Sequence, residues 1–435
     1  MKIWDLEKEK EGLLSALSLL RSERKEILRN SVLNIKEKLE KEREKAILEF
    51  CKELDGWKRD YPFKLTKKEI KEGRKSVEEK DIEVLKGMIE RVKKCIKPVR
   101  RTKKVVENEG VRIEEDKVPI QRLLIYSPGG KAPYPSSFIM AAIPAISAGV
   151  KEIYVTSPAP DGIVNPYILA CADLIGIENV YRLGGAQAIF AFAEGIGEIP
   201  KVDMIVGPGN GYVEEAKKEC FGSIGIDTIA GPSELLVFAN DATFPDLVAR
   251  DLLSQAEHDE MAVLWLFSKS ENYVKEVYRY MEIFGEKALR KGIIRKVLSN
   301  NTFFVLFKEE ENAIDTVNQI APEHVELIGG EHLKEKILYS GITYIGITTP
   351  VALGDYYIGT NHILPTGGSG RFLSGLSVET FLRRRVVVKV DPSFLRKYGD
   401  KAQRMAEIEG LYCHKEAIQI RKERIDEIED WISKG

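Results

Sequence analysis

Gln255 and His258 stand three residues apart in LSQAEHDE, residues 253–260. On a helix that spacing puts both on one face. An amide oxygen beside an imidazole can bind a metal ion or a polar substrate. The same pair also occurs on solvated helix ends, and these eight residues alone favour that plainer reading. Histidine is scarce, limited to His258, His324, His332, His362 and His414, so imidazole chemistry has five candidates. His324 follows Glu323 in PEHVE. Neighbours on a strand face opposite ways, whereas in an irregular loop both could reach one pocket. The pair then offers an imidazole base near pKa ~6.5 and a carboxylate near ~4.3. Asp355 and His362 lie in the Gly-, Thr- and Ser-rich stretch 354–375. So long an irregular stretch is functional or disordered, and its interleaved apolar and aromatic residues argue against disorder. Glu409 and His414 flank Gly410 in EGLYCH, where a helix end with a surface histidine is the plainer reading.

The elements that must position these residues alternate between apolar strands and helices. Strands are expected at 122–126, 152–156, 179–182 and 203–206, with helices between them. A second series places strands at 235–239, 262–267, 302–306, 325–328 and 341–345. This predicts βαβ units, parallel sheets and right-handed crossovers. The two halves share a build without a residue-level repeat. Three strand ends carry glycines: SPGG at 127–130, GGAQ at 184–187 and GPGN at 207–210. Such loops bring backbone N–H groups to a ligand, or simply make tight turns; none is GxGxxG. Three of them point to one binding edge. Residues 3–54 and 66–94 read as charged amphipathic helices, for the surface or for a partner subunit. The basic run 93–104 has no interleaved aromatics and reads as a linker. A strand at 386–390 precedes a charged, mostly helical tail, read as a separate module.

Composition bounds the function classes. The 435 residues carry a net charge of −2, which leaves no nucleic-acid footprint. Charged residues reach 31%, dominated by Lys and Glu, as in heat-adapted proteins. Five cysteines without a CxxC pair point to a reducing compartment and away from a thiolate zinc site. With no apolar leader and no long apolar run, a cytoplasmic protein without membrane contact is expected.

Together the motifs YSPGGKAPYPSS, GGAQAI, GPGN, IAGPSE, LLSQAEHD, APEHVEL, LGDY, GTNHILPTGG, GLSVETF and EGLYCH resemble histidinol dehydrogenases from about residue 121 to 414. The resemblance implies two incomplete Rossmann-like α/β domains, of aldehyde-dehydrogenase type with parallel sheets, plus small helical N- and C-terminal extensions. It divides the chain into an extension at 1–25, a discontinuous first domain at 26–128 and 234–376, a nucleotide-binding domain at 129–233, and a dimerisation module at 377–435. It implies one zinc per subunit on Gln255, His258, Asp355 and His414. It also implies a base, His324, and a water-activating carboxylate, Glu323. Histidinol contacts carry over to Ser233, Gln255, His258, His324, Asp355, His362, Glu409 and His414, and NAD contacts to Tyr126, Gln187 and Asn210. The implied reaction is two successive NAD-dependent oxidations of L-histidinol, through histidinaldehyde, to L-histidine. A homodimer is implied, with Glu409 and His414 acting in the other subunit's site. A related zinc- and NAD-dependent dehydrogenase of another small alcohol, and a silent binding scaffold, are the competing readings. The 100 N-terminal residues carry few of the motifs.

Overall fold

The computed structural model describes residues 1–22, 25–96, 103–129 and 133–434, so Gly130 and part of the basic run lie outside the described residues. The chain forms two compact units, Met1–Pro98 with Ile120–Phe381, and Val99–Pro119 with Leu382–Gly435.

The first unit holds two parallel sheets. In one, the order is Val180–Arg182, Glu152–Ser157, Arg122–Tyr126, Met204–Val206, Gly225–Ile226. Counted along the chain this is 3-2-1-4-5, five strands of the six-strand Rossmann order. The second sheet repeats it with Thr302–Leu306, Val263–Ser268, Glu234–Ala239, His324–Ile328 and Ile342–Ile345. The fold class is therefore the expected α/β arrangement with parallel Rossmann-like sheets. Its strands are near-continuous apolar runs; every residue of Glu234–Ala239 and Val263–Ser268 is buried, as two helix-covered faces demand.

The N-terminus departs from the expectation of an extension. Ile3–Asp5 is a sixth, edge strand of the second sheet, pairing Ile3 with Phe304 in parallel. The helix Leu6–Ser22 then buries Leu6, Leu13 and Leu17 in a cluster with Trp265 and Phe267. Each such leucine is worth about 2 kcal/mol of transfer free energy. The helices Lys25–Glu42 and Glu44–Leu54 likewise set Val32, Leu39, Ile47 and Phe50 against Phe190 and Phe192. These apolar faces are used inside the unit. A three-residue strand in a Lys/Glu-rich context has no period of its own, which is why the sequence hides it.

The second unit is not purely helical. Leu382–Val390, Val111–Pro119 and Lys104–Asn108 form an antiparallel sheet, ahead of helices Pro392–Ile408, Tyr412–Glu423 and Ile425–Lys434. Residues 104–119, expected in the first α/β domain, thus pair with the C-terminal strand. Val105, Val106, Ile113, Val386, Val387, Val388 and Val390 of this sheet are exposed in the single chain. No helix among the described residues is long and apolar enough to cross a membrane.

Candidate active site

The strand His324–Ile328 begins where helix Glu310–Ile320 ends on Ala321 in a left-handed conformation. Pro322 and Glu323 complete the turn, so Glu323 precedes the strand and its side chain is free of the alternation. Both members of the pair meet one residue, Glu234. The His324 Nδ1–H donates to the Glu234 carbonyl at 2.9 Å. A carbonyl only accepts, so the proton sits on Nδ1 and Nε2 keeps its lone pair. Nε2 is buried and has no partner. The Glu234 N–H donates to Glu323 Oε2 at 2.9 Å, and that oxygen lies 3.5 Å from His324 Nδ1. The His324 ring lies nearly parallel to that of Tyr344, with centroids 6.2 Å apart.

Burial sets the charges. It pulls His324 down to about 3, with His258 and His362 adding repulsion. It pushes Glu323 well above the carboxylate range, with Glu234 and Asp355 reinforcing the shift. A neutral imidazole with a bare nitrogen is a base ready throughout neutral pH; the acid limb expected near pH ~6.5 from an ordinary histidine is displaced downward. In NMR titration of the histidine ring protons, His324 should not titrate between pH 5 and 8, while a midpoint near ~6.5 would contradict the depression by burial.

Helix Pro245–Ala256 returns from strand Glu234–Ala239 to the edge where that strand begins, so Gln255 and His258 arrive at the same edge as Glu234 and His324. Gln255 is 1% exposed and neither its Oε1 nor its Nε2 has a partner. Two orphaned polar atoms in one buried amide are costly unless a ligand completes them. His258 is half-buried, and burial with Arg290 nearby lowers its pKa, leaving a neutral ring able to donate a lone pair. Asp355 lies in the last turn of the helix Val351–Tyr356, a segment expected to be irregular; burial raises it to about 7, so it favours a nearby cation. Its Oδ1 is 3.8 Å from His362 Nδ1. His362 donates from Nδ1 to the Asp355 carbonyl at 3.0 Å and accepts from Ser137 at Nε2, 2.7 Å away. Both its nitrogens are thus occupied, which suits holding Asp355 more than touching a substrate. Ser233 is half-buried, directly before Glu234.

Glu409 and His414 belong to the second unit and are exposed there, Glu409 capping Pro392–Ile408 and His414 in the first turn of Tyr412–Glu423. Among the described residues of the single chain, no three His, Cys, Asp or Glu side chains form a metal cluster.

The three Gly-marked loops share the carboxyl edge of the first sheet. Two of them, after Arg122–Tyr126 and Met204–Val206, flank its switch point. The Tyr126 hydroxyl accepts from Gly185 N–H at 3.2 Å. Gly207 has φ 109, and a Cβ there would run into the Tyr126 carbonyl oxygen. Gln187 is buried with Oε1 unpartnered. Asn210 is exposed, and its Oδ1 caps helix Gly211–Cys220 by accepting from Tyr212 and Val213. The sequence reading missed the support beneath this loop. Fully buried Lys217 donates to the Gly207 carbonyl at 3.1 Å and pairs with Asp227 at 2.7 Å, while Asp227 and Glu214 accept from Gly207 N–H and Gly209 N–H. It also missed Glu326, whose Oε1 accepts from Val351 N–H at 2.6 Å and so starts the helix that carries Asp355. Buried acids in a strand have no sequence signal apart from breaking an apolar run, as Glu326 does in HVELI.

Comparison with known proteins agrees with this architecture. Residues 20–422 match the family described as histidinol dehydrogenase. The histidinol dehydrogenase of Methanocaldococcus jannaschii is 39% identical over 427 residues, 97% of this chain and 98% of the relative. That of Aquifex aeolicus is also 39% identical, over 433 residues, 97% of this chain and 100% of the relative. The crystal structure of histidinol dehydrogenase from Elizabethkingia anophelis superposes with a TM-score of 0.87 at 34% identity, covering 95% of this chain and 97% of that one. On sequence and on fold, the chain belongs to the histidinol dehydrogenase family of oxidoreductases.

Proposed function

We propose that this enzyme oxidises L-histidinol twice with NAD, through histidinaldehyde, to L-histidine. The observation that carries the proposal is His324, with Nδ1 tied to the Glu234 carbonyl and Nε2 buried and bare. In this reading Nε2 removes the alcohol proton of histidinol, and later a proton of the hydrated aldehyde. Glu323, whose Oε2 lies 3.5 Å from His324 Nδ1, takes a proton from the water that adds to the aldehyde. It must ionise to do so, and burial holds its pKa up, so aldehyde hydration should quicken as pH rises. NAD accepts a hydride at each oxidation. It would lie at the carboxyl edge of the first sheet, near Tyr126, Gln187 and Asn210.

The donor set of Gln255, His258 and Asp355, with His414 of the partner subunit, fits zinc: two imidazoles, an amide oxygen and a carboxylate. Bound there, zinc would supply a Lewis acid that orients the imidazole and amino nitrogens of histidinol. Ser233 and Glu409 of the partner subunit would complete the substrate site, a carboxylate suiting an ammonium group. The exposed valines of the second unit's sheet support a homodimer, since such a patch favours association. The five free cysteines support a cytoplasmic setting.

The deciding measurement is NADH formed per histidinol consumed, with and without chelator. Two per substrate, lost on chelation and restored by zinc, is expected. One per substrate, or turnover only with another alcohol, would instead identify a related single-step dehydrogenase.

A further inference from the structure

We propose that Arg21, on the N-terminal helix Leu6–Ser22, is a positioning residue for the Glu323–His324 pair and acts through Glu234. This rests on the reading of that pair given above. Arg21 Nη2 donates to Glu234 Oε1 at 2.8 Å and to the Ile320 carbonyl at 3.3 Å. Ile320 ends the helix that delivers Pro322, Glu323 and His324. Glu234 grips the pair with its other carboxylate oxygen and both of its backbone polar groups. Its Oε2 accepts from Glu323 N–H at 3.3 Å and Gly367 N–H at 3.1 Å. Its own N–H and carbonyl hold the Glu323 carboxylate and the His324 ring. One guanidinium therefore fixes the chain before the pair and the residue beneath it.

The loop at 366–368 closes on the same group. Gly368 has φ 83, and a Cβ there would meet Arg21 Nη1. The left-handed backbone at Gly368 is what calls for glycine.

Charge gives the arrangement its consequence. Glu234 is 2% exposed and lies beside a second buried carboxyl, Glu323. Arg21 is the only cation paired with it among the described residues. Without the guanidinium, Glu234 would be a buried uncompensated charge and must take up a proton or move. Either response loosens Glu323 N–H and the Gly367 loop. A lysine keeps the charge but lacks the planar fork. Anchoring of the helix does not need the ion pair, because Leu6, Leu13 and Leu17 are already buried.

The test is steady-state kinetics of the full chain carrying Arg21→Gln, Arg21→Lys or Glu234→Gln, with a melting curve for each. Arg21→Gln should lower kcat by about 10–100-fold, the scale of a misplaced catalytic group, with KM for NAD unchanged. Arg21→Lys should recover part of kcat. Glu234→Gln should show the same kcat-selective loss, and combining it with Arg21→Gln should add little. If Arg21→Gln melts early, the Lys and Glu234 variants decide. Unchanged kcat in Arg21→Gln or in Glu234→Gln, or an equal loss in kcat and in NAD affinity, overturns the proposal. His324→Asn and Glu323→Gln run alongside. Full activity in those two would overturn the reading of the pair itself, whereas their loss with an intact Arg21→Gln removes only the positioning role.

Discussion

His324→Asn should reduce histidinol oxidation by roughly 10²–10⁴-fold, the usual worth of a positioned general base, while NAD still binds. Asparagine can present an N–H to the Glu234 carbonyl, so the hydrogen bond that holds the ring can be retained at that end. What it cannot present is a lone pair of comparable basicity where Nε2 now lies buried and unpartnered. The loss should therefore fall on kcat for both oxidations, since each needs a proton removed from carbon-bound oxygen. The pH profile sharpens the test. Burial holds His324 down to about 3, so the imidazole is neutral from weakly acidic pH upward. Its folded pKa is depressed, and loss of the base form comes only as pH falls through that low value. An acid limb nearer neutrality in the wild-type profile would belong to another group: Glu323, which burial holds well above the carboxylate range and which must ionise to activate water. A variant that keeps wild-type kcat across the pH range would remove His324 from the chemistry.

How legible this was in the sequence depended on periodicity. The strands Arg122–Tyr126 and Thr302–Leu306 were expected at those bounds, because an apolar run flanked by glycines or by helical spacing leaves little choice. The chemistry-bearing residues were legible by type, since five histidines leave few combinations. What was not legible was everything that depends on two distant segments meeting. The edge strand Ile3–Asp5 exists only because Thr302–Leu306 offers it an open edge. Strands Lys104–Asn108 and Val111–Pro119 are amphipathic and charged, and they become a sheet only with Leu382–Val390. Helix Val351–Tyr356 sits in a stretch whose glycines and threonines argue for loop, and it is started by Glu326 from another element. The dyad shows the same limit. Adjacent residues on one strand cannot share a pocket, and only the left-handed Ala321 and the turn after it put Glu323 outside the strand.

In the proposed reading the two sheets divide the labour in a way the pattern did not announce. Ligands in such sheets ordinarily sit at carboxyl ends of strands. The Gly-marked loops obey this in the first sheet. In the second, Glu234 and His324 begin their strands, so the candidate chemistry lies at the amino edge. The Ser137–His362 hydrogen bond and the Asn361 donation to the Met140 carbonyl join that edge to helix Pro135–Ala148 of the first half. A nucleotide at one edge and a substrate at the other would then face each other.

Gln255 supplies the second large effect. Gln255→Ala and His258→Ala should each lose zinc and histidinol binding together while NAD binding survives. The loss should exceed the ~10–100-fold that removal of an outer-shell partner costs a metal site. The reason lies in the metal-free chain. Both polar atoms of Gln255 are buried without a partner, and an unsatisfied buried polar group costs about 1–3 kcal/mol. An amide retained at such a cost is explained by a ligand that completes it. Gln255→Met, close in shape and free of that penalty, should therefore raise the melting temperature of the metal-free protein while abolishing its rise on adding zinc. His258→Ala removes a half-buried neutral ring and should leave the metal-free melting temperature nearly unchanged. Zinc per subunit after dialysis against chelator, histidinol binding by calorimetry and NAD binding by fluorescence separate the three ligands. Full zinc in both alanine variants would mean that this face of the helix end is not a metal site. Zinc lost in His258→Ala but kept in Gln255→Ala would reassign the buried amide to the substrate alone.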